Sequence, residues 1–370
     1  RALSSAEQIY GVEHPVIESI VESLAQNLRM SSGTFLSGDL WNSLENTDKI
    51  LLVETALYGS PSEKVLDRLN QFAERSRQHG NPANALKYTE SALGVGRRLF
   101  GSRHIRTAEI LNHRGEMLFA LGRLADARDS YEEALQISKV YYGDEHPFTA
   151  VTNANLGEVL WASGDLPRAR TYLLQARLMY ESFHKDDSTE LARIITKLGS
   201  VLAAQNDYTG AQSCFIRSLQ INERQYGSGH PSVAADLNNL GMLFFKAGKM
   251  QDAQSCFERS LQIYQAAYGP EHEEVAMMFN NLGGTLWAQG DLLNARALYE
   301  RALQIDENVY GETHLNVARD AGNLGSVHQA AGEIPQARVY FERALRIRQT
   351  CLPPEHPKIL SARRRLESLQ

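Results

Sequence analysis

The tripeptide Asn-Leu-Gly returns along this chain at steps of 42 residues or twice 42. It stands at Asn155-Leu156-Gly157, Asn239-Leu240-Gly241, Asn281-Leu282-Gly283 and Asn323-Leu324-Gly325. A second series with the same step holds glycine or asparagine: Gly80, Gly122, Gly164, Asn206, Gly248, Gly290 and Gly332. Because the two series keep one register, the chain is predicted to be a tandem array of one structural unit.

Each period contains the pattern of two amphipathic helices. Within Pro231–Ala247, apolar residues follow three- and four-residue spacing, and Gly248 stands where a helix-ending residue would. The segment Met250–Tyr268 carries a second apolar stripe, which Gly269 closes. A repeat of this kind cannot bury its apolar faces alone, so neighbouring repeats must stack. The predicted fold is all-α, a right-handed α-α superhelix of antiparallel helix pairs.

Small residues occupy fixed places on both helices of the repeat. Gly241 lies in mid-helix, where a glycine costs about 1 kcal/mol relative to alanine. Ala253 is the equivalent small residue on the second helix. We expect these positions to let the two helix backbones approach closely.

The loop between repeats has its own pattern, and residues 142–147 read Tyr-Gly-Asp-Glu-His-Pro. We expect Gly143 to adopt a left-handed C-cap conformation and Pro147 to occupy the first turn of the next helix. The histidine recurs at His104, His146, His230, His272, His314 and His356. Ser62 and Ser188 stand at the same phase, so the histidine is interpreted as a cap or a loop-packing residue that serine can replace. A metal site is disfavoured by this replacement and by a loop separation of about 10 Å.

The composition is globular, with 43% hydrophobic and 22% charged residues. The net charge of −6 provides no basic field, so nucleic acid is not expected as a partner. No long apolar run occurs, which argues against insertion into a membrane. The cysteines Cys214, Cys256 and Cys351 form no C-x-x-C pair, which favours a reducing, cytoplasmic compartment. Cys214 and Cys256 are expected to be small core residues.

The period also predicts the domain organisation. Residues 61–352 hold seven regular hairpins, and residues 353–370 are predicted to form a C-terminal capping helix. Residues 1–60 are predicted to be an atypical N-terminal part with an inserted loop near residues 31–39, because its loop glycines are 48 residues apart. Residues 1–10 would be the tail of a further repeat, so a covalently linked N-terminal effector domain is one expectation.

These residues resemble a known family. The turn Gly164-Asp165 and the second-helix residues Ala295, Tyr299 and Ala302 are similar to the tetratricopeptide repeat in its long form, as in kinesin light chains. The resemblance covers nearly the whole chain. It implies a protein-binding scaffold, although one architecture hosts many partners.

The resemblance implies that the first helices line a concave groove along which a partner lies. The residue before the repeated leucine occupies one phase of that groove: Asn155, Lys197, Asn239, Asn281 and Asn323, with His113 in an earlier unit. An asparagine ladder can hold an extended peptide backbone, because each amide offers both a donor and an acceptor. The alternative is that each asparagine bonds a neighbouring helix end or loop, and the sequence leaves both open.

A second phase of the groove follows five residues after the leucine. It holds Phe119, Trp161, Ala203, Phe245, Trp287 and Gln329. Aromatic residues at helical spacing are more often core residues, but large changes of volume at one phase favour a partner-binding surface. If these aromatics line the groove, Trp161 and Trp287 should be exposed. Arg193 and Arg319, near the starts of their helices, would add charge-assisted bonds to an acidic partner.

Nothing in the residue pattern points to an enzyme. Gly94-Val95-Gly96 lies inside a second helix rather than after a strand, and no phosphate-binding loop occurs. No cofactor or metal is predicted. The leading function is a scaffold that binds a protein or peptide in the groove. Two alternatives stay open: the ligand-sensing arm of a larger STAND/NB-ARC-like signalling NTPase, and an architectural, self-associating array.

Overall fold

The computed structural model describes residues 19–21, 23–25, 46–58, 61–183 and 188–369. In these residues the chain consists of α-helices, turns and loops without a strand, which confirms the predicted all-α class. The chain divides into two compact units, residues 1–183 and residues 184–370. Each unit is built from pairs of helices, and the first and second helix of a pair are here called helix A and helix B.

The first unit includes the helical residues 19–21 and 23–25. Its longer helices are α1 Asn46–Tyr58, α2 Glu63–Gln78, α3 Pro82–Phe100, α4 Ile105–Ala120, α5 Leu124–Tyr142, α6 Pro147–Ala162 and α7 Leu166–Phe183. The pairs are α2–α3, α4–α5 and α6–α7, and within this unit helix B of one pair also packs on helix A of the next. Stacking of this kind buries Leu69, Leu111 and Leu118 almost completely.

The second unit repeats the arrangement. Its helices are α8 Thr189–Ala204, α9 Tyr208–Tyr226, α10 Pro231–Lys246, α11 Met250–Tyr268, α12 Glu273–Ala288, α13 Leu292–Tyr310, α14 Leu315–Ala330, α15 Ile334–Cys351 and α16 Pro357–Glu367. The pairs are α8–α9, α10–α11, α12–α13 and α14–α15, and α16 packs on α15. Ile194, Leu198 and Phe257 are among the buried side chains that hold these pairs together.

The helix bounds keep the period without drift. Helices A begin at residues 63, 105 and 147 in the first unit and at residues 189, 231, 273 and 315 in the second, always 42 apart. Helices B begin at residues 82, 124 and 166, and at residues 208, 250, 292 and 334. The predicted phase is therefore confirmed over the described repeats. The expectations for residues 1–10 and for the loop near 31–39 lie outside the described residues.

The histidines of the connecting loops are N-caps, as predicted. In His104, His146, His230, His272, His314 and His356, the side chain accepts a hydrogen bond from the backbone N–H two residues later. Ser62 and Ser188 cap α2 and α8 in the same way, but accept from the N–H three residues later. The aromatic residue before the loop glycine stacks on the histidine ring, as Tyr142 does on His146 with centroids 3.7 Å apart. The cap and the stack together explain the Tyr-Gly-x-x-His pattern.

The loop glycine has the positive φ of the predicted left-handed conformation, but its ψ differs from that of a left-handed helix. Gly143 has φ +84° and ψ −179°. Only glycine adopts this backbone region readily, because any Cβ is strained there. The turn between helix A and helix B of a pair makes a weaker demand than the loop between pairs, because Asn206 occupies this turn with φ +64°. Asparagine tolerates the left-handed helical region, and this explains why it replaces glycine only at the hairpin turn.

The glycines of helix A make room chiefly for bulky side chains of helix B. Each glycine at the motif phase faces the side chain sixteen residues later on helix B. The pairs are Gly115–Tyr131, Gly157–Leu173, Gly199–Phe215, Gly241–Phe257, Gly283–Tyr299 and Gly325–Phe341. A Cβ on these glycines would lie only 2.5–2.9 Å from the facing side chain. At Gly157 that Cβ would also lie 3.2 Å from the backbone oxygen of Ala169, so the expected close approach of the two backbones is seen there.

The cysteines fit the core expectation only in part. Cys214 on α9 is buried, whereas Cys256 on α11 is half-buried. Desolvation raises the pKa of the Cys256 thiol, which disfavours the reactive thiolate. The prediction of a core residue is therefore confirmed for Cys214 and wrong for Cys256.

Candidate functional site

One side of helix A keeps at least partial exposure in the regular pairs, apart from the buried Asn155. In α10 this side carries Ala235, Asn239, Met242 and Phe245, whose three- and four-residue spacing places them on one face. Ala235 and Met242 are exposed, while Asn239 and Phe245 are half-buried. These four positions and their equivalents at steps of 42 residues are called the A-helix face of each unit.

Aromatic side chains are exposed on this face in both units. Trp161 at the end of α6 is 37% exposed, and Trp287 at the end of α12 is 44% exposed. Phe119 and Phe245 at the same phase are half-buried. The expected exposure of the two tryptophans is confirmed. Their role in binding stays a prediction.

The asparagine phase is already engaged within the second unit. The Asn281 Nδ2 atom donates to Asn238 Oδ1 over 2.8 Å, and Asn323 Nδ2 donates to Asn280 Oδ1 over 2.9 Å. Each bond joins a helix A to helix A of the preceding repeat, so it stabilises the stacking of the pairs. In the first unit Asn155 is 5% exposed. Asn281 and Asn323 therefore bond within the chain, as the alternative interpretation expected. Their partners lie on the sides of neighbouring helices rather than at helix ends or in loops.

The two predicted arginines are also engaged by carboxylates of the chain. Arg193 forms an ion pair one turn away with Glu190. Arg319 donates from Nη2 to Asp306 and from Nε to Asp320, each over 2.9 Å. An acidic partner would therefore compete with existing ion pairs. Lys197, at the asparagine phase of α8, is half-buried.

Two of those carboxylates are buried, which the sequence analysis missed. Asp306 on α13 and Asp320 on α14 have side chains at most 1% exposed. Burial raises the pKa of both, and that of Asp306 reaches about 7 because the neighbouring Asp320 charge adds to the desolvation. Asn280 Nδ2 donates to Asp320 Oδ1 over 2.8 Å. Arg319 thus covers a pair of carboxyls that favours retaining a proton.

A similar buried carboxylate lies earlier in the second unit. Asp236 on α10 accepts hydrogen bonds from Asn222 over 2.6 Å and from Ser218 over 2.9 Å. Desolvation raises its pKa, and these bonds oppose the rise. The position of Asp236 in the repeat could have indicated its burial, because the apolar residues Ile194 and Met278 hold the same position in neighbouring repeats. An acid at a core phase predicts a buried polar network.

Carboxylates mark the A-helix face of the first unit, and this too was missed. Glu74, Glu116 and Glu158 occupy the phase of Met242 in three successive helices A. In the second unit that phase holds Ser200, Met242, Gly284 and Ser326. Comparing charges phase by phase would have found the difference. The two units therefore present A-helix faces of different charge.

Neither a metal centre nor a membrane span emerges from the described ranges. No group of three or more His, Cys, Asp or Glu side chains in these ranges is arranged to hold a metal ion. No helix in the same ranges is long and apolar enough to cross a membrane.

Comparison with known families agrees with the observed repeats. A family model described as tetratricopeptide repeat matches residues 106–182, 190–266, 237–292 and 274–350. A second model with that description matches residues 71–140. A search of curated protein sequences finds no significant match.

Solved structures with a similar fold come from several sources. BtubC (BKLC) from P. vanneervenii is 24% identical with a TM-score of 0.54, over 64% of this chain and 94% of that one. The apo form of RapI is 15% identical with a TM-score of 0.59, over 82% of this chain and 99% of that one. A Signal Transduction ATPase with Numerous Domains (STAND) protein with a tetratricopeptide repeat sensor, from Pyrococcus horikoshii, is 13% identical. Its TM-score is 0.62, over 93% of this chain and 48% of that one. At these identities the likeness concerns the fold alone.

Proposed function

Because the chain belongs to the tetratricopeptide repeat family, we propose that it is a protein-interaction scaffold that binds an extended peptide or partner protein on its A-helix faces. The observation that carries the proposal is the exposure of Trp161 and Trp287 at one phase of helix A. Tryptophan is enriched among the residues that dominate binding energy in protein interfaces. Its large ring gains much from burial, while its N–H retains a polar contact.

In the second unit the surroundings of Trp287 suit an extended ligand. Phe245 lies at the same phase one repeat earlier, and Met242 on the same helix is 39% exposed. Asn239 is half-buried beside them on this face. A peptide crossing α10 and α12 would find apolar contacts for its side chains and amide groups for its backbone.

A second candidate is the sensor arm of a larger signalling ATPase. It is supported by the fold shared with the STAND protein from Pyrococcus horikoshii, whose tetratricopeptide repeats are described as its sensor. This candidate also requires ligand binding, but it adds control of a nucleotide-binding domain. An ATPase domain on the same polypeptide, with hydrolysis that changes when a peptide binds, would favour the sensor over the scaffold.

The experiment is a selection of displayed random peptides on the immobilised chain, followed by affinity measurements with purified variants. Trp287→Ala is expected to weaken the selected peptides about tenfold or more. Leu293→Ala is the matched control, because Leu293 is 79% exposed but lies on helix B. Equal losses in both variants, or no selectable peptide, would contradict the proposal. The second result would favour the architectural, self-associating array.

A further inference from the structure

The A-helix face of the first unit combines carboxylates with aromatic rings at fixed distances along the chain. Phe119 follows Glu116 by three residues on α4, and Trp161 follows Glu158 by three residues on α6. Residues three apart on a helix are neighbours on its surface. Carboxylates and aromatic ring faces both attract cations, so each pair favours a Lys or Arg side chain over an acidic or purely apolar one.

The negative charge of this face is only partly neutralised. Glu74 forms an ion pair with Arg77 over 2.6 Å, and Arg106 approaches Asp67 to 3.7 Å. No salt bridge in the described part of the chain reaches Glu116 or Glu109. These two carboxylates lie seven residues apart on α4 and therefore share one face. The arginines of α4, Arg106 and Arg114, pair with Asp67 and Glu90 on other helices. Glu109 and Glu116 therefore keep their charge without a salt bridge of their own, although Arg77 lies close enough to attract Glu116.

An unsatisfied acceptor lies between them. Asn112 stands on the same side of α4 as Glu109 and Glu116, and it is 6% exposed. Its Nδ2 atom donates to Thr152 over 2.8 Å, but its Oδ1 atom has no hydrogen-bond partner among the described residues. A buried amide oxygen without a donor is costly. The missing donor leaves one acceptor on this side of α4 that the hydrogen bonds of the described residues do not satisfy.

The same face is indented. A small pocket of about 50 Å³ opens between α2, α3 and α4, and its lining includes Glu74, Arg77, His113 and Glu116. Glu74 and Glu116 belong to successive helices A, so the pocket connects two positions of the carboxylate phase. A long side chain with a charged end fits such a pocket better than a short one does.

From these contacts we infer that the A-helix face of the first unit binds an extended, basic segment of a partner protein, with Lys or Arg at every third residue. Successive helices A are separated by about one helix diameter, roughly 10 Å. An extended chain advances about 3.3 Å per residue, so three residues span one repeat. The inference rests on the proposed function, and it adds the chemistry of the partner. An acidic segment or a nucleic acid backbone would be repelled by Glu109 and Glu116.

The test uses the whole chain and labelled synthetic peptides of thirteen residues in fluorescence anisotropy at low and at physiological salt. One peptide has Lys at every third position in a Ser/Ala background, a second has the same composition with its Lys residues contiguous, and a third has Glu in place of Lys. We expect the spaced Lys peptide to bind best, and its affinity to fall with salt because the contacts are exposed.

Two double variants with the same change of charge provide the control. Glu109→Gln combined with Glu116→Gln should weaken the spaced Lys peptide about tenfold. Glu145→Gln combined with Glu312→Gln removes two exposed loop carboxylates and should leave it unchanged. Equal losses in the two variants, or binding of the Glu peptide as tight as that of the Lys peptide, would overturn the inference.

The result of the Lys peptide test can be distinguished from the result of the Trp287→Ala test of the proposed function. Trp287 lies in the second unit, and its loss should not weaken the Lys peptide. If selected peptides depend on Trp287 while no Lys peptide binds, the scaffold proposal stands and the inference about the first unit fails. Circular dichroism melting of each variant confirms that the fold is intact before affinities are compared.

Discussion

The ring of Phe257 lies so close to Gly241 that a Cβ on this glycine would stand 2.5 Å from the Cε1 atom of the ring. Phe257 is also completely buried, so its ring has no free space into which to retreat. The contact ties helix A to helix B within one repeat. This steric contact explains why the repeated tripeptide contains glycine, although glycine has a low helix propensity.

Gly241→Ala should therefore destabilise the protein. Overpacking a core costs about 1–3 kcal/mol, and the gain in helix propensity offsets about 1 kcal/mol of it. Gly284→Ala is the control, because a Cβ there would lie 3.4 Å from the Tyr299 hydroxyl, an ordinary contact. Urea unfolding should show a loss for Gly241→Ala and no loss for Gly284→Ala. Identical unfolding curves for the two variants would contradict this packing.

The histidine caps predict which substitutions the loops accept. His272→Ala should cost about 1 kcal/mol of unfolding free energy, because the Glu274 N–H loses its acceptor. His272→Ser should recover a large part of the loss, since Ser62 and Ser188 cap equivalent helices. Thermal unfolding of the three proteins measures the order. A serine variant as unstable as the alanine variant would show that stacking on Tyr268, rather than capping, stabilises the loop.

The two glycine phases should respond differently to asparagine. Gly143→Asn should cost about 2 kcal/mol, because the extended conformation with positive φ is strained for any residue with a Cβ. Gly164→Asn should cost less, because Asn206 already occupies the equivalent hairpin turn with φ +64°. Chemical denaturation of both variants makes the comparison. Equal destabilisation would mean that the two turns do not differ in what they require.

The buried carboxyls make the second unit sensitive to pH. The folded-state pKa of Asp306 is about 7, above the ordinary value of 3.8, so the folded protein retains a proton that the unfolded chain releases. Its contribution to stability is present below about pH 4 and is lost as the pH rises through 7. Asp306→Asn should therefore raise the free energy of unfolding, relative to the unsubstituted chain, by about 2–3 kcal/mol more at pH 8 than at pH 5. Asp252→Asn, at an exposed position on α11, is the matched control for the change of charge.

The pH experiment reads the free energy of unfolding of each variant relative to the unsubstituted chain at several pH values. A benefit of Asp306→Asn that grows with pH agrees with a proton held by the Asp306 and Asp320 pair. A stabilisation by Asp306→Asn that shrinks as the pH rises would mean that Arg319 keeps both carboxyls charged. It would contradict the raised pKa of Asp306.

The period, the helix bounds and the caps could be predicted because they depend on local chemistry that recurs at one phase. A histidine or serine before each helix A is readable from its neighbours alone. The ψ of Gly143 could not be predicted in this way, because a glycine in a loop permits several conformations. The asparagine phase was ambiguous for a similar reason, since the bond from Asn281 to Asn238 crosses 43 residues of sequence.

The charged groups were harder to place. Arg319 was expected to be available to an acidic partner because it lies near the start of its helix. Its second carboxylate, Asp306, comes from the preceding helix B, and its burial depends on how the two helices pack. The volume and spacing of Trp161 and Trp287 are also typical of core residues. Their exposure could therefore be predicted only by assuming that they bind a partner.

The most direct test of the central claim is oxidative footprinting of Trp161 and Trp287, with and without a peptide selected on the immobilised chain. The account predicts that a bound peptide lowers the oxidation rate of at least one of these tryptophans. Val140, which is 87% exposed on helix B α5, should react at an unchanged rate. Saturating peptide that leaves both tryptophans as reactive as before, while helix B side chains become protected, would place the binding surface elsewhere.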